Sequence, residues 1–184
     1  MKGQFFLLTV FILIAAFYIG ISPRISPPIA VDQIPESLDF IFDNVLNEYP
    51  RAVNLAMNTS KNTVNVLKNF SNFVKNSTDE MGLNFSIIWL FVKNESENVN
   101  ITVGNFLGYD TNVTLNVSGN VKHIYVQSGV ANSTLFVSPP SKFQLVLSFN
   151  TTEKNLLLEK HKVSFYGLMK MEKEGNSING EIKA

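Results

Sequence analysis

Residues Phe85 to Val92 read FSIIWLFV, and every side chain in this stretch except that of Ser86 is apolar. A buried helix normally runs for at least about ten residues, whereas a strand buried on both faces is typically about four to eight residues long. The stretch is also rich in the β-branched and aromatic residues that favour sheets. It therefore predicts a central strand with other elements packed on both of its faces.

The sequence that follows alternates between apolar and polar residues, as strands with one buried face do. Turn sequences such as Ser118-Gly119-Asn120 and Glu174-Gly175-Asn176 separate the runs, and no helical pattern interrupts them. Residues 83–184 are predicted to form an antiparallel β-sandwich, similar in architecture alone to immunoglobulin-like modules. We expect Trp89 and most phenylalanines in its core. Seven further strands are predicted around residues 99–103, 113–117, 122–127, 134–137, 143–149, 160–171 and 177–183.

Residues 36–78, ahead of the sandwich, form a predicted amphipathic helical segment, so the predicted fold class is α+β. Apolar residues recur at spacings of three and four from Leu38 to Val74. Pro50 removes a backbone donor and clashes with the preceding turn, so we expect a kink or break between Glu48 and Arg51. The apolar side is predicted to pack on the sandwich, and pairing with another subunit is the alternative. On a helical wheel the asparagines fall within an arc of about 80° opposite this side; they are Asn44, Asn47, Asn54, Asn58, Asn62, Asn65, Asn69, Asn72 and Asn76.

Residues 1–22 are predicted to be a membrane anchor. They contain an uncharged, apolar run from Phe5 to Ile21, which as a helix would extend about 26 Å and could just span a hydrocarbon core about 30 Å thick. Prolines in the connector, residues 23–35, stop the helix soon afterwards. Lys2 lies before the run and favours a cytoplasmic N-terminus. This predicts a single-pass protein of the cell membrane with an extracellular C-terminal domain.

The tripeptide Lys2-Gly3-Gln4, placed directly before the apolar run, resembles the class III signal of archaeal type IV pilin-like proteins. The resemblance covers about twenty residues. It implies that a prepilin peptidase cuts between Gly3 and Gln4 and that the helix is kept as membrane anchor and filament core. The fifth residue after that cut is Leu8, where filament-forming pilins usually carry glutamate, so a minor or purely anchored relative is favoured. An uncleaved anchor and a conventional secretory signal peptide are the alternatives.

Asparagine replaces charge on the predicted surface. The chain has 22 asparagines, while only 16% of its residues are charged. Ten asparagines begin an N-x-S/T sequon, against about three expected by chance, which predicts an N-glycosylated surface. An asparagine-rich surface without glycans is the alternative. The predicted acceptors are Asn58, Asn69, Asn76, Asn84, Asn94, Asn100, Asn112, Asn116, Asn132 and Asn150.

Composition and motifs argue against several classes of function. The formal net charge is zero, which disfavours a nucleic-acid partner. Cysteine is absent, so disulfides, thiolate catalysis and cysteine metal sites are excluded. The two histidines, His123 and His161, have no metal-ligand spacing, and the sequence contains no nucleophile elbow or phosphate-binding glycine loop. We therefore predict no catalytic residues, no metal site, no cofactor and no enzymatic activity.

These features together predict a non-enzymatic cell-surface protein. It is expected to be a minor pilin or an anchored envelope component with a glycosylated extracytoplasmic domain, and its partners are the membrane, through residues 5–21, and pilin-like subunits or further copies of itself. One alternative is an anchored or secreted binding module that recognises carbohydrate or a protein, with exposed aromatics on a loop such as Phe106–Tyr109. Another is an assembly factor of a secretion or pilus system.

Overall fold

The computed structural model describes residues 37–59 and 62–184. The predicted anchor, residues 1–22, and the connector, residues 23–35, lie outside this part of the chain. The described residues form an α+β fold of two helices followed by nine strands. The helices are α1 (Leu38–Asn58) and α2 (Thr63–Glu80). The strands are β1 (Asn84–Glu95), β2 (Asn98–Phe106), β3 (Thr111–Val117), β4 (Asn120–Val126), β5 (Val130–Phe136), β6 (Lys142–Phe149), β7 (Thr152–Glu159), β8 (Ser164–Lys173) and β9 (Asn176–Lys183).

The strands form two antiparallel sheets, as a β-sandwich requires. The five-stranded sheet has the order β5-β2-β1-β8-β9, and the four-stranded sheet has the order β4-β3-β6-β7. The FSIIWLFV stretch lies in β1, the central strand of the larger sheet, so the prediction for it is confirmed. Ser118 (φ 50°) and Gly119 (φ 93°) turn the chain between β3 and β4, and Glu174 (φ 50°) and Gly175 (φ 86°) turn it between β8 and β9. Two successive residues with positive φ are typical of tight hairpins.

Side chains of β1 alternate between two separate apolar cores. Ile88, Leu90 and Val92 pack between the two sheets, against residues of β3 and β6. Ile87, Trp89 and Phe91 face the helices on the other side of the larger sheet. This is why the strand is apolar on both faces. Trp89 and eight phenylalanines are buried; these are Phe42, Phe85, Phe91, Phe106, Phe136, Phe143, Phe149 and Phe165.

The two helices cover the outer face of the five-stranded sheet. Phe42, Tyr49 and Val53 of α1 and Leu67 and Val74 of α2 are buried in the core that contains Trp89. The asparagines lie on the opposite side: eight of the nine are exposed and Asn72 is half-buried. The prediction that the apolar side packs on the sandwich is therefore confirmed.

Of the two outcomes predicted at Pro50, a kink or a break, the break is wrong, because Pro50 lies inside a continuous α1. Its neighbours Tyr49 and Val53 are buried against the sheet, and this packing holds the helix together despite the lost backbone donor. The helical segment divides later, between Asn58 and Thr63. Thr59 ends α1 by donating its hydroxyl to the Leu55 carbonyl (2.8 Å), and Asn62 caps α2 by accepting from the amide of Asn65.

Strand β7 was missing from the predicted set, which held eight strands rather than nine. Its sequence, TEKNLLLE, shows no clean alternation, because Leu157 is apolar although it is 79% exposed between the half-buried Leu156 and Leu158. The strand predicted for residues 160–171 begins only at Ser164. Lys160 instead lies in the preceding turn, where its ammonium group pairs with Glu97 at 2.8 Å.

Candidate functional site

One candidate site is a cleft of about 740 Å³ between the two sheets. One wall consists of side chains from β1, β8 and β9 of the larger sheet, and the other of the β2–β3 loop and the adjoining ends of β6 and β7. A volume of this size is within the range of small-molecule sites. Its lining includes Asn84, Ser86, Ile88, Leu107, Tyr109, Phe149, Thr152, Lys154, Leu168, Lys170, Glu172, Asn179 and Glu181.

The cleft forms where the strand faces between the sheets change from apolar to polar. In β1 this face carries Asn84 and Ser86 before it reaches Ile88. In β8 it continues from Leu168 to Lys170 and Glu172. Polar side chains of this kind keep their hydration and do not pack against an opposite apolar sheet. This change of polarity within a strand is a signal that the sequence carries, since the polar residues occupy positions that continue the apolar phase.

The charged groups in the cleft are paired with one another. Lys154 of β7 contacts Glu181 of β9 at 2.7 Å and so joins the two sheets. Lys170 contacts Glu172 at 2.8 Å within β8. With two lysines and two glutamates in the lining, the cleft has no net charge. The cleft therefore suits a neutral polar ligand better than an anion or a cation.

The Glu181 carboxylate acts on its neighbours as well. Hydrogen bonding to Lys154, followed by that to Lys183, holds the pKa of Glu181 below its usual value. The Tyr166 hydroxyl is buried and makes no hydrogen bond within the described residues. Burial, and then the negative charge of Glu181, raise the pKa of Tyr166 above its ordinary value. Tyr166 is thus a neutral group at neutral pH.

The lowered pKa of Glu181 predicts a loss of stability in acid. Because folding favours the charged carboxylate, the contribution is complete above the unfolded pKa of about 4.3 and disappears as the pH falls through the lower folded pKa. Glu181→Gln should therefore have a lower free energy of unfolding than wild type at pH 6. This difference should shrink as the pH falls from about 6 to about 3. Urea unfolding at a series of pH values measures this. Glu174→Gln, at an exposed turn, is the control; if its pH dependence changes as much as that of Glu181→Gln, the assignment is wrong.

A buried asparagine shapes the β2–β3 loop of the cleft. Asn105 is fully buried and donates to the carbonyls of Tyr109 (2.8 Å) and Val126 (2.9 Å). Its side-chain oxygen accepts from the amide of Leu107 at 3.0 Å. The loop is therefore held by satisfied buried hydrogen bonds. It exposes one aromatic ring, that of Tyr109 (49%), whereas Phe106 is buried, so the loop lacks a cluster of exposed aromatics.

The predicted sequon asparagines are found at the surface in most cases. Three are half-buried: Asn94, Asn100 and Asn116. The side-chain oxygens of Asn94 and Asn100 are buried. Two acceptors adjoin the cleft: Asn84 lines it, and Asn150 donates to the Tyr109 hydroxyl at 2.9 Å. The seven exposed acceptors are Asn58, Asn69, Asn76, Asn84, Asn112, Asn132 and Asn150.

In three sequons the hydroxyl residue has a structural role of its own. Ser71, in the Asn69 sequon, is fully buried and bonded to Tyr49, Trp89 and the Leu67 carbonyl. Thr78, in the Asn76 sequon, is buried and donates to the Val74 carbonyl. Thr102, in the Asn100 sequon, bonds to Ser133 across β2 and β5. The hydroxyl groups of these three sequons therefore have a structural role that does not depend on glycosylation.

The other predicted features fall partly outside the described residues. Gly3, Gln4 and the apolar run at residues 5–21 all precede residue 37. Neither of the two described helices combines the length and the hydrophobicity needed to cross a bilayer.

Across residues 37–59 and 62–184, the structure places no three His, Asp or Glu side chains close enough to hold a metal ion. His123 is exposed and shares a hydrogen bond with Thr114 (2.9 Å).

Comparisons with known proteins give no family for this chain. No protein-family model matches it, and no curated protein resembles it closely enough to be counted as a relative.

Proposed function

We propose that this protein is a non-enzymatic, pilin-like surface protein, either a minor pilin or an anchored envelope component, with a glycosylated extracytoplasmic domain. The observation that carries the proposal is the tripeptide Lys2-Gly3-Gln4 directly before the uncharged run Phe5–Ile21. In this proposal, the run anchors the protein in the cell membrane, and residues 37–184 lie outside the cell as an immunoglobulin-like sandwich covered by two helices. Partners would be pilin-like subunits or further copies of the chain.

The distribution of polar groups supports an extracytoplasmic location. Seven sequon asparagines are exposed and three are half-buried, so each has some access to solvent. The asparagines of α1 and α2 form a solvent-facing stripe on the outside of the helices. Glycans on such a surface would supply the hydration that lysine and glutamate usually supply.

The native N-terminus tests the proposal. We expect protein purified from the membranes of its own cells to begin at Gln4 and to exceed 20.6 kDa because of attached glycans. Gly3→Val should leave residues 1–3 in place, whereas Gly20→Val, within the apolar run, is a matched control that should still be cut. A mature N-terminus beyond Ile21 would refute a retained anchor.

The cleft supports a second candidate function, that of a carbohydrate-binding module. Its uncharged amides, its paired charges and the exposed Tyr109 ring are suited to a neutral ligand that carries hydroxyl groups and has an apolar ring face. Saturable binding of a free oligosaccharide to the full chain, lost in Tyr109→Ala, would support this candidate. The absence of such binding in unglycosylated protein would remove it.

A further inference from the structure

We propose that the occupant of the cleft is the chain's own glycan, attached to Asn150. This inference rests on the proposed glycosylation of the protein. Two of the ten sequons adjoin the cleft, and in both the hydroxyl residue lines it as well, namely Ser86 for Asn84 and Thr152 for Asn150. The cleft therefore lies beside two possible glycosylation sites, and a glycan is the kind of neutral, hydroxyl-rich ligand that its lining suits.

Asn150 is the better placed of the two acceptors. It is exposed in the β6–β7 turn, where its φ of 48° is a conformation that asparagine tolerates. Its Nδ2 atom lies 2.9 Å from the hydroxyl oxygen of Tyr109, a residue that is 49% exposed and lines the cleft. A sugar bonded to Nδ2 thus begins next to an aromatic ring at the cleft wall.

The chemistry of attachment preserves this contact. The amide nitrogen of Asn150 displaces the phosphate of a lipid-phosphate-linked oligosaccharide from the first sugar carbon. A nitrogen–carbon bond forms, the carbon–oxygen bond to phosphate breaks, and one amide proton is released. The second amide hydrogen remains, so Nδ2 can still donate to the Tyr109 hydroxyl. The sugar's C–H face can then pack on the Tyr109 ring while its hydroxyls reach the Asn84 and Asn179 side chains.

The test uses the glycosylated full chain and an amine-reactive label. Lys170 lines the cleft and its side chain is 47% exposed, so a glycan that fills the cleft should slow its labelling. Thr152→Val removes the Asn150 sequon but keeps Asn150 and its turn. We expect Lys170 labelling to rise severalfold in this variant. It should also rise in Tyr109→Ala, where the glycan is still attached but the ring on which its first sugar packs is absent. Mass spectrometry of peptides measures both occupancy and labelling.

Matched controls separate this effect from general shielding. Thr114→Val removes the Asn112 sequon, which lies on the outward face of the four-stranded sheet, and should leave Lys170 labelling unchanged. Lys142, exposed at the start of β6, should label equally in all variants. If Lys170 labels equally in wild type and Thr152→Val, or if Tyr109→Ala keeps full shielding, the inference is wrong.

Other outcomes distinguish this inference from the proposals on which it depends. Glycans at other sequons with none at Asn150 would overturn this inference alone. A complete absence of glycans would overturn it together with the proposed glycosylation. A free oligosaccharide that binds the glycosylated wild type and further protects Lys170 would show that the cleft is open to an external ligand, again against the inference.

Discussion

Replacing Gly104 with alanine is expected to destabilise the protein by more than about 3 kcal/mol or to prevent folding. Gly104 of β2 lies opposite Trp89 of β1, and a β-carbon added there would lie 2.1 Å from the Cε2 atom and 2.2 Å from the Cζ2 atom of the indole ring. Trp89 cannot easily move, since it is fully buried and contacts the Phe106 and Phe165 rings. The fluorescence of Trp89, the chain's only tryptophan, reports urea unfolding directly.

Gly167 provides a matched control for this substitution. It lies opposite Trp89 on the other side, in β8, but a β-carbon there would meet Ile182 at 3.4 Å and Ile87 at 3.5 Å, within ordinary contact distance. Gly167→Ala should therefore change stability by less than about 1 kcal/mol, since alanine costs less backbone entropy than glycine. Combining Gly104→Ala with Trp89→Leu should give a loss smaller than the sum of the two single losses. Because this double variant lacks tryptophan, far-UV circular dichroism follows its unfolding. Equal stability of the two alanine variants would contradict the prediction.

Replacing Ser71 with alanine is expected to lower the free energy of unfolding by about 3 kcal/mol. The Ser71 hydroxyl oxygen accepts from Trp89 Nε1 (3.1 Å) and from the Tyr49 hydroxyl (3.1 Å), and all three residues are fully buried. Without it, two buried donors would lose their shared acceptor. Burial raises the pKa of Tyr49 well above its ordinary value, so this hydroxyl stays a neutral donor.

Two variants separate the buried network from the sequon. Asn69→Gln removes the same sequon but leaves Ser71 intact, and because Asn69 is exposed it should change stability by less than about 0.5 kcal/mol. Tyr49→Phe in the Ser71→Ala background removes one of the two donors that Ser71→Ala leaves without an acceptor. It should therefore recover part of the lost free energy of unfolding. A comparable loss in Asn69→Gln, measured by urea unfolding, would assign the effect to a glycan instead.

The local periodicity of the sequence predicted most of the elements and their inward faces. The FSIIWLFV run identified the central strand because a strand covered on both faces must be apolar on both faces. The asparagine stripe identified the outer face of the helices for the complementary reason, since polar amides remain hydrated. The break that was one predicted outcome at Pro50 does not occur, because the packing of Tyr49 and Val53 outweighs one lost hydrogen bond.

The candidate site was less accessible to sequence reasoning. Tyr109 and Asn150 are 41 residues apart, and Lys154 and Glu181 are 27 apart, so no local pattern connects either pair. The role of Ser71 also depends on contacts between residues that are distant in the sequence. In the sequence it completes an N-x-S sequon, while in the fold it is the acceptor shared by Tyr49 and Trp89.

By itself the sequence determined the α+β class, the central strand β1 and the solvent-facing asparagines, because each depends on spacings of two to four residues along one element. It also carries the Lys2-Gly3-Gln4 motif on which the proposed location depends. Only the tertiary structure decided that the helix divides after Asn58 rather than at Pro50, and that two sequons adjoin one cleft. These features arise from the packing of distant segments, whose register and spacing no local pattern specifies.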